Sequence, residues 1–289
     1  MELIKPFQKD RELQLDIYNS KKTGGPDAFD VWWLGQSGFL LQWNGLCVLF
    51  DPYLSDSLTK KYASTSKPHT RMSELVIDPI LLDCIDIMTS SHNHTDHLDG
   101  ETLAPLIKAN PGISFIIPEA NRAFVADRVK CEIGFPLGLN DRDVCDVKGF
   151  TFHGIPSAHN IVERDEQGRC RFMGYVVRFG KFSLYHSGDT LWFDGLDNLL
   201  KPFRVDLAFL PINGNDPARG VAGNLNPREA AELGKAIGAG YVIPHHYNMF
   251  AFNTADPQEF MKEARRCNQP CAVLGHGQKW TYPAIRNLL

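Results

Sequence analysis

The sequence predicts an α/β chain of the α+β kind, in which two β-sheets form a sandwich with helices outside. Three observations carry that reading. An Asn44-Gly45 pair separates two β-rich runs, a β-α-β-α alternation follows as far as Val129, and a second β-rich half again ends in helices. With 289 residues, 43% of them hydrophobic, the chain can bury one sizeable core. One domain over residues 29–289 is expected, preceded by an arm or short helix over residues 1–28.

From Phe29, Val31-Trp32-Trp33-Leu34 reads as a strand, and after Gly35 and Gly38 come Phe39-Leu40-Leu41-Gln42-Trp43 and Leu46 to Phe50. Asn-Gly between such runs signals a two-residue hairpin, because both central residues of a type I′ turn need positive φ. Residues 55–73 are polar, lack a periodic apolar pattern, and read as a loop near a site. Ile85 to Ser90 reads as a buried strand, 101–109 as a helix, 113–117 as a strand and 121–129 as a helix. Further strands are expected near 150–156, 172–179, 181–186, 205–212 and 241–244, with helices over 227–237 and 257–266. Asn226 before Pro227, with Glu229 in the first turn, marks a helix start.

A net charge of −4 gives no basic footprint for nucleic acid or an anionic membrane, so a small-molecule substrate is expected. Seven scattered cysteines without a Cys-x-x-Cys pair fit reduced thiols in a cytoplasmic setting better than a disulfide framework. The charged first dozen residues hold no signal-peptide core, and no apolar run approaches the roughly 20 residues of a membrane helix. Homo-oligomerisation stays open.

The chemistry concentrates in Ser90-Ser91-His92-Asn93-His94-Thr95-Asp96-His97, three histidines and an aspartate just past an apolar strand. Imidazole nitrogen and carboxylate oxygen suit Zn²⁺, Mn²⁺ and Fe²⁺, and a strand-end loop can aim such side chains at one point. A surface histidine cluster is the competing reading. Three further strand-to-loop transitions carry a candidate ligand: Ser157-Ala158-His159-Asn160, Ser187-Gly188-Asp189-Thr190 and Pro244-His245-His246-Tyr247. Taken singly, each is weak; all could converge at one end of the sheets.

This ordered set resembles the metallo-β-lactamase superfamily, whose fold is a four-layer αββα sandwich of two mixed sheets. The resemblance implies two divalent metal ions, Mn²⁺ or Zn²⁺ with iron also admissible. His92, His94 and His159 would hold the first, Asp96, His97 and His246 the second, and Asp189 would bridge them. Within the superfamily, Trp32-Trp33-Leu34-Gly35, Leu184 to Asp189, Val242-Ile243-Pro244, Ala255 to Glu259 and Lys279 to Pro283 look like the L-ascorbate-6-phosphate lactonase subgroup. The subgroup pattern favours His246 over His245.

Other residues carry weaker signals. Asp51 could orient a ligand histidine, although an Asp-Pro turn explains it equally well, and His186 is a second candidate to support a ligand. Asn215 and Arg219, in a Gly/Asn-rich loop, and His276, between two glycines, are candidates to touch an anionic substrate. Tyr247 and Trp280 read as core. A metal-activated water, with Asp189 setting metal spacing and Asp96 assisting proton transfer, would attack the substrate. The first expectation is a lactonase or carboxylic-ester hydrolase acting on a phosphorylated sugar acid. The runner-up is a phosphodiesterase on a lipid or nucleotide, and a non-hydrolytic metal sensor is the rival of another class.

Overall fold

A computed structural model describes residues 2–216 and 223–283 of the chain. Arg219 lies outside the described residues. The strands are β1 (Phe29–Gly35), β2 (Gly38–Trp43), β3 (Leu46–Phe50), β4 (Ile87–Thr89), β5 (Ser114–Pro118), β6 (Leu137–Leu139), β7 (Val144–Val147), β8 (Phe150–Pro156), β9 (Met173–Phe179), β10 (Phe182–His186), β11 (Leu207–Pro211), β12 (Tyr241–His245) and β13 (Lys279–Tyr282). The helices are α1 (Asp10–Thr23), α2 (Ser57–Tyr62), α3 (Gly100–Ala109), α4 (Arg122–Val129), α5 (Leu196–Leu200), α6 (Pro227–Ile237) and α7 (Pro257–Arg266).

The first sheet runs β13-β1-β2-β3-β4-β5-β6 and the second β12-β11-β10-β9-β8-β7. Both are mixed: β1–β3 and β7–β10 are antiparallel, while β3–β6 and β10–β12 are parallel. The expected hairpin forms, with Asn44 at φ 48° and Gly45 at φ 79° between β2 and β3.

Strand alternation sorts side chains into layers. Val31, Trp33, Phe39, Leu41, Val48 and Phe50 point between the sheets, where they meet Phe152, Tyr175, Val177 and Phe209. Their neighbours Trp32, Leu34, Leu40, Cys47 and Leu49 point outward and are covered by α1, α3 and α4. The segment read as an arm or short helix is therefore largely a 14-residue helix that buries Leu13 and Ile17 in the outer layer. Helices α6 and α7 cover the second sheet, and a capping box between Asn226 and Glu229 starts α6. No helix among the described residues is long and apolar enough to cross a membrane.

Every sequence candidate for metal binding follows the C-terminal end of a strand: β4, β8, β10 or β12. The polar segment expected as a loop contains α2, and Tyr53, Leu58, Met249 and Phe250 form a small separate core beneath it.

Candidate metal centre

After β4 the chain coils tightly, with the His97 and Leu98 amides both donating to the His94 carbonyl at 3.1 and 2.8 Å. Asp99 then caps α3, its carboxylate accepting from the Glu101 amide at 3.3 Å. This turn sends His92 and His97 into the interior and leaves His94 and Asp96 on the solvent side. Asp189 arrives from the loop after β10, where Gly188 takes φ +58° and a Cβ would fall 2.6 Å from that of Ser91. Glycine is the residue that permits this approach. His246 sits at φ 63° just past β12, and its Nε2 comes to 2.7 Å from Asp189 Oδ1. Its neighbour His245 faces elsewhere, stacked on His186 and hydrogen-bonded through Nδ1 to Ser37 Oγ at 3.0 Å.

Two groups of ligand atoms result, His92/His94/Asp189 and Asp96/His97/His246, with the atoms of each group within 4.8 Å of one another. Asp189 faces both: Oδ1 is 3.3 Å from His97 Nε2, and Oδ2 is 3.8 Å from His159 Nδ1. The His159 ring lies 4.9 Å from that of His94, at the rim of the first group rather than inside it.

Five buried atoms here lack a hydrogen bond of good geometry, although two of them, His97 Nε2 and His246 Nε2, lie within ion-pair distance of a third, Asp189 Oδ1; the other two are His92 Nε2 and His159 Nδ1. Buried polar atoms are ordinarily satisfied, and leaving so many without well-formed hydrogen bonds in one cluster is costly. All five are good donors to a divalent first-row cation, so the residues present fit such ions.

The surroundings fix which nitrogens are free. Asp51, fully buried at φ 40°, accepts from Thr89 Oγ1 at 3.2 Å, from the Ser91 amide at 3.0 Å, from Ser91 Oγ, and from His97 Nδ1 at 2.7 Å. With its hydroxyl hydrogen committed to Asp51, Ser91 Oγ accepts from His92 Nδ1 at 3.0 Å. Both histidines thereby present Nε2 to the centre. Gln36, at φ 47° in the β1–β2 turn, places its side-chain amide 2.9 Å from Asp96 Oδ2 and 3.0 Å from His246 Nδ1. Arg128 braces the ligand turn from outside, donating to the Asn93 and Leu98 carbonyls at 3.1 and 3.3 Å. His186 acts on the Asp189 loop through the backbone: its Nδ1 accepts from the Gly188 amide at 3.2 Å.

Without metal, burial pushes the His92 imidazole well below its ordinary pKa and lowers that of His94. Burial would also depress His97, but the carboxylates of Asp189, Asp96 and Asp51 outweigh it and hold that ring well above its usual value. The same pairing overcomes burial at Asp189, held well below the carboxylate range by His246 and His97. A metal would displace the His97 proton, so its binding releases protons.

A cavity of about 430 Å³ opens above the two groups. Its floor is His94, Asp96, His159 and Asp189, its roof includes Leu58, Tyr62 and Phe252, and Lys61 and Lys67 stand at its side. Two expectations from the sequence need correction. Asn215 is exposed and its Oδ1 accepts from the Gly223 amide at 3.3 Å, closing its own loop; Asn213, Asn224 and Asn253 line the cavity instead. His276 does not reach the cavity: it is buried, stacked 4.4 Å from Trp33, in a layer behind Gln36. Tyr247 and Trp280 belong to the core as expected: Tyr247 stacks on Trp33 at 4.1 Å, and Trp280 pairs with Val31 at the sheet edge. Gln36, Ser91, Arg128 and the two lysines had no recognisable motif; the short Gly35-Gln36-Ser37-Gly38 turn was the one visible hint.

Residues 30–246 match the family model described as the beta-lactamase superfamily domain. The chain belongs to the beta-lactamase superfamily. A UPF0173 metal-dependent hydrolase of Methanosarcina mazei is 28% identical over 235 residues, spanning 80% of this chain and 89% of the relative. A probable L-ascorbate-6-phosphate lactonase of Escherichia coli is 25% identical over 267 residues, 81% of this chain and 73% of that one. Among solved structures, a metallo hydrolase of the archaeon Ignicoccus hospitalis superposes with a TM-score of 0.65 at 20% identity, covering 88% of this chain and 98% of that one. The two mixed sheets with outer helices are thus the superfamily's fold, and the family and relatives together place the chain among its metal-dependent hydrolases.

Proposed function

We propose that this superfamily member hydrolyses a lactone or related carboxylic ester of a small phosphorylated sugar acid, of the L-ascorbate 6-phosphate kind. The observation that carries this reading is the cavity directly over the His/Asp cluster, flanked by Lys61 and Lys67, neither of which has a carboxylate partner among the described residues. About 430 Å³ suits a small molecule, and two unpaired ammonium groups suit an anionic one. The likeness to the E. coli lactonase supports the ester over other electrophiles.

His92, His94, His159 and Asp189 would hold one divalent ion and Asp96, His97, His246 and Asp189 the other. Such ions supply Lewis acidity and lower the pKa of bound water toward neutrality. Asp51 and Ser91 hold the two buried imidazoles in the tautomer that offers Nε2. Asp96, with Oδ2 engaged by Gln36, keeps its other oxygen on the cavity side, where it can carry a proton to the leaving alkoxide. Lys61 and Lys67 would receive the phosphate, fixing the ester over the cluster.

Protein loaded with Mn²⁺ or Zn²⁺ is to be assayed on a phosphorylated sugar lactone, its unphosphorylated counterpart and a generic phosphodiester. The expected result is turnover of the phosphorylated lactone, with Lys61→Ala/Lys67→Ala raising its KM about tenfold and leaving the unphosphorylated lactone little changed. Turnover of the phosphodiester alone would replace this reading with a phosphodiesterase.

A further inference from the structure

A second cavity, of about 560 Å³, lies on the outer face of the second sheet, away from the His/Asp cluster. Ile155 and Pro156 of β8 form its floor, and Val162, Phe193, Leu199 and Phe203 its walls. His153 also lines it, one turn of the strand alternation from Ile155, and its buried Nε2 has no hydrogen-bond partner. A largely apolar chamber bordered by a few charged groups is how small-molecule sites are commonly built.

Four charged residues mark its mouth, and they divide unequally. Arg164 is locked in a two-pronged pair with Asp141, with both N–H···O distances at 2.9 Å, so those charges cancel. Arg142 and Asp194 have no ion-pair partner among the described residues. One free cation and one free anion over an apolar chamber complement a molecule carrying one of each. We infer that this cavity is a second ligand site, taking an amino acid with an aromatic or branched side chain, its carboxylate toward Arg142 and its ammonium toward Asp194. A simple carboxylic acid would leave Asp194 opposed to its charge, and a simple amine would do the same to Arg142.

The placement gives the site contact with the centre's scaffold. Pro156 leads into the loop bearing His159, and Phe193 follows the loop bearing Asp189; the two loops are tied by the Leu191 amide donating to the Ala158 carbonyl at 2.8 Å. The inference does not depend on the substrate of the centre.

Titration calorimetry of the full chain with L-phenylalanine, 3-phenylpropionate and 2-phenylethylamine tests it. L-Phenylalanine is expected to bind with the lowest Kd of the three. Arg142→Ala and Asp194→Ala, both at exposed positions, should each weaken it roughly two- to fivefold, the range of a solvent-accessible ion pair. Leu199→Trp, which fills the chamber, should abolish binding. No binding by any of the three overturns the inference, as does preference for either singly charged analogue. Binding that survives Leu199→Trp places the ligand elsewhere and equally overturns it, whatever the outcome of the hydrolysis assays.

Discussion

Asp51→Asn separates a positioning carboxylate from a merely buried one. Asp51 serves four donors: the hydroxyls of Thr89 and Ser91, the Ser91 amide and His97 Nδ1. Asparagine keeps the volume but offers a single acceptor oxygen with two lone pairs, and its NH₂ faces whatever remains. The two hydroxyls can rotate to other acceptors, whereas the Ser91 amide and the His97 ring cannot. One of those two therefore loses its partner or His97 loses its preferred tautomer. A hydrogen bond of this charge-assisted kind contributes about 1.5–3 kcal/mol, which is roughly a ten- to hundredfold change in an equilibrium constant. The loss should fall on metal affinity at the Asp96/His97/His246 group, because the 2.7 Å contact to Asp51 orients that group's His97. Competition titration against a chelator, read for each ion separately, measures it. The expected result is one ion weakened by one to two orders of magnitude and the other by less. Two unchanged affinities in a variant with lowered thermal stability would show that Asp51 only fills space.

Further outcomes follow from the same geometry. Burial pushes His276 down to about 3, so the folded protein holds it neutral while the unfolded chain protonates it near 6.5. That stability is full well above pH 6.5 and is lost as pH falls, by about 2 kcal/mol in all by pH 5, and urea midpoints should show this loss shrinking in His276→Gln. Gly188→Ala forces a Cβ to within 2.6 Å of Ser91 and 3.0 Å of the Met173 carbonyl at a positive φ, so Asp189 shifts and kcat should fall at least tenfold. His246→Gln should remove one ion per chain by elemental analysis, while His245→Gln should keep both ions and lower thermal stability. Asn226→Ala breaks the capping box of α6 and should cost about 1 kcal/mol in denaturation without changing kcat.

What the sequence revealed depended on how local the cause was. The β2–β3 hairpin was legible because two adjacent residues dictate the turn, and α6 and α7 because their N-terminal prolines and caps are contiguous with the helix. Histidine and aspartate at strand ends were legible as candidate ligands because few other roles bring such residues together. Strand β13 was not, since its four residues gain their partner only by returning to β1 across the whole chain. Helix α1 was obscured by its polarity, with only Leu13 and Ile17 as a buried apolar stripe. Gln36 could not be found at all, because its partners Asp96 and His246 lie 60 and 210 residues away. Asn215 was chosen for its loop, whereas strand exit geometry delivers Asn213 to the cavity.

Gln36, Asp51 and His246 all occupy left-handed backbone conformations that side-chain-bearing residues avoid, and all three converge on the same ion group. Each such residue costs on the order of 1 kcal/mol relative to glycine, which adopts that conformation freely. Glycine at any of the three would therefore relax the chain while deleting a ligand or its support. That relief is smaller than what it removes: glycine at position 51 alone would leave four buried donors without their acceptor, at about 1–3 kcal/mol each, so selection for heat resistance and selection for turnover both preserve the strained trio.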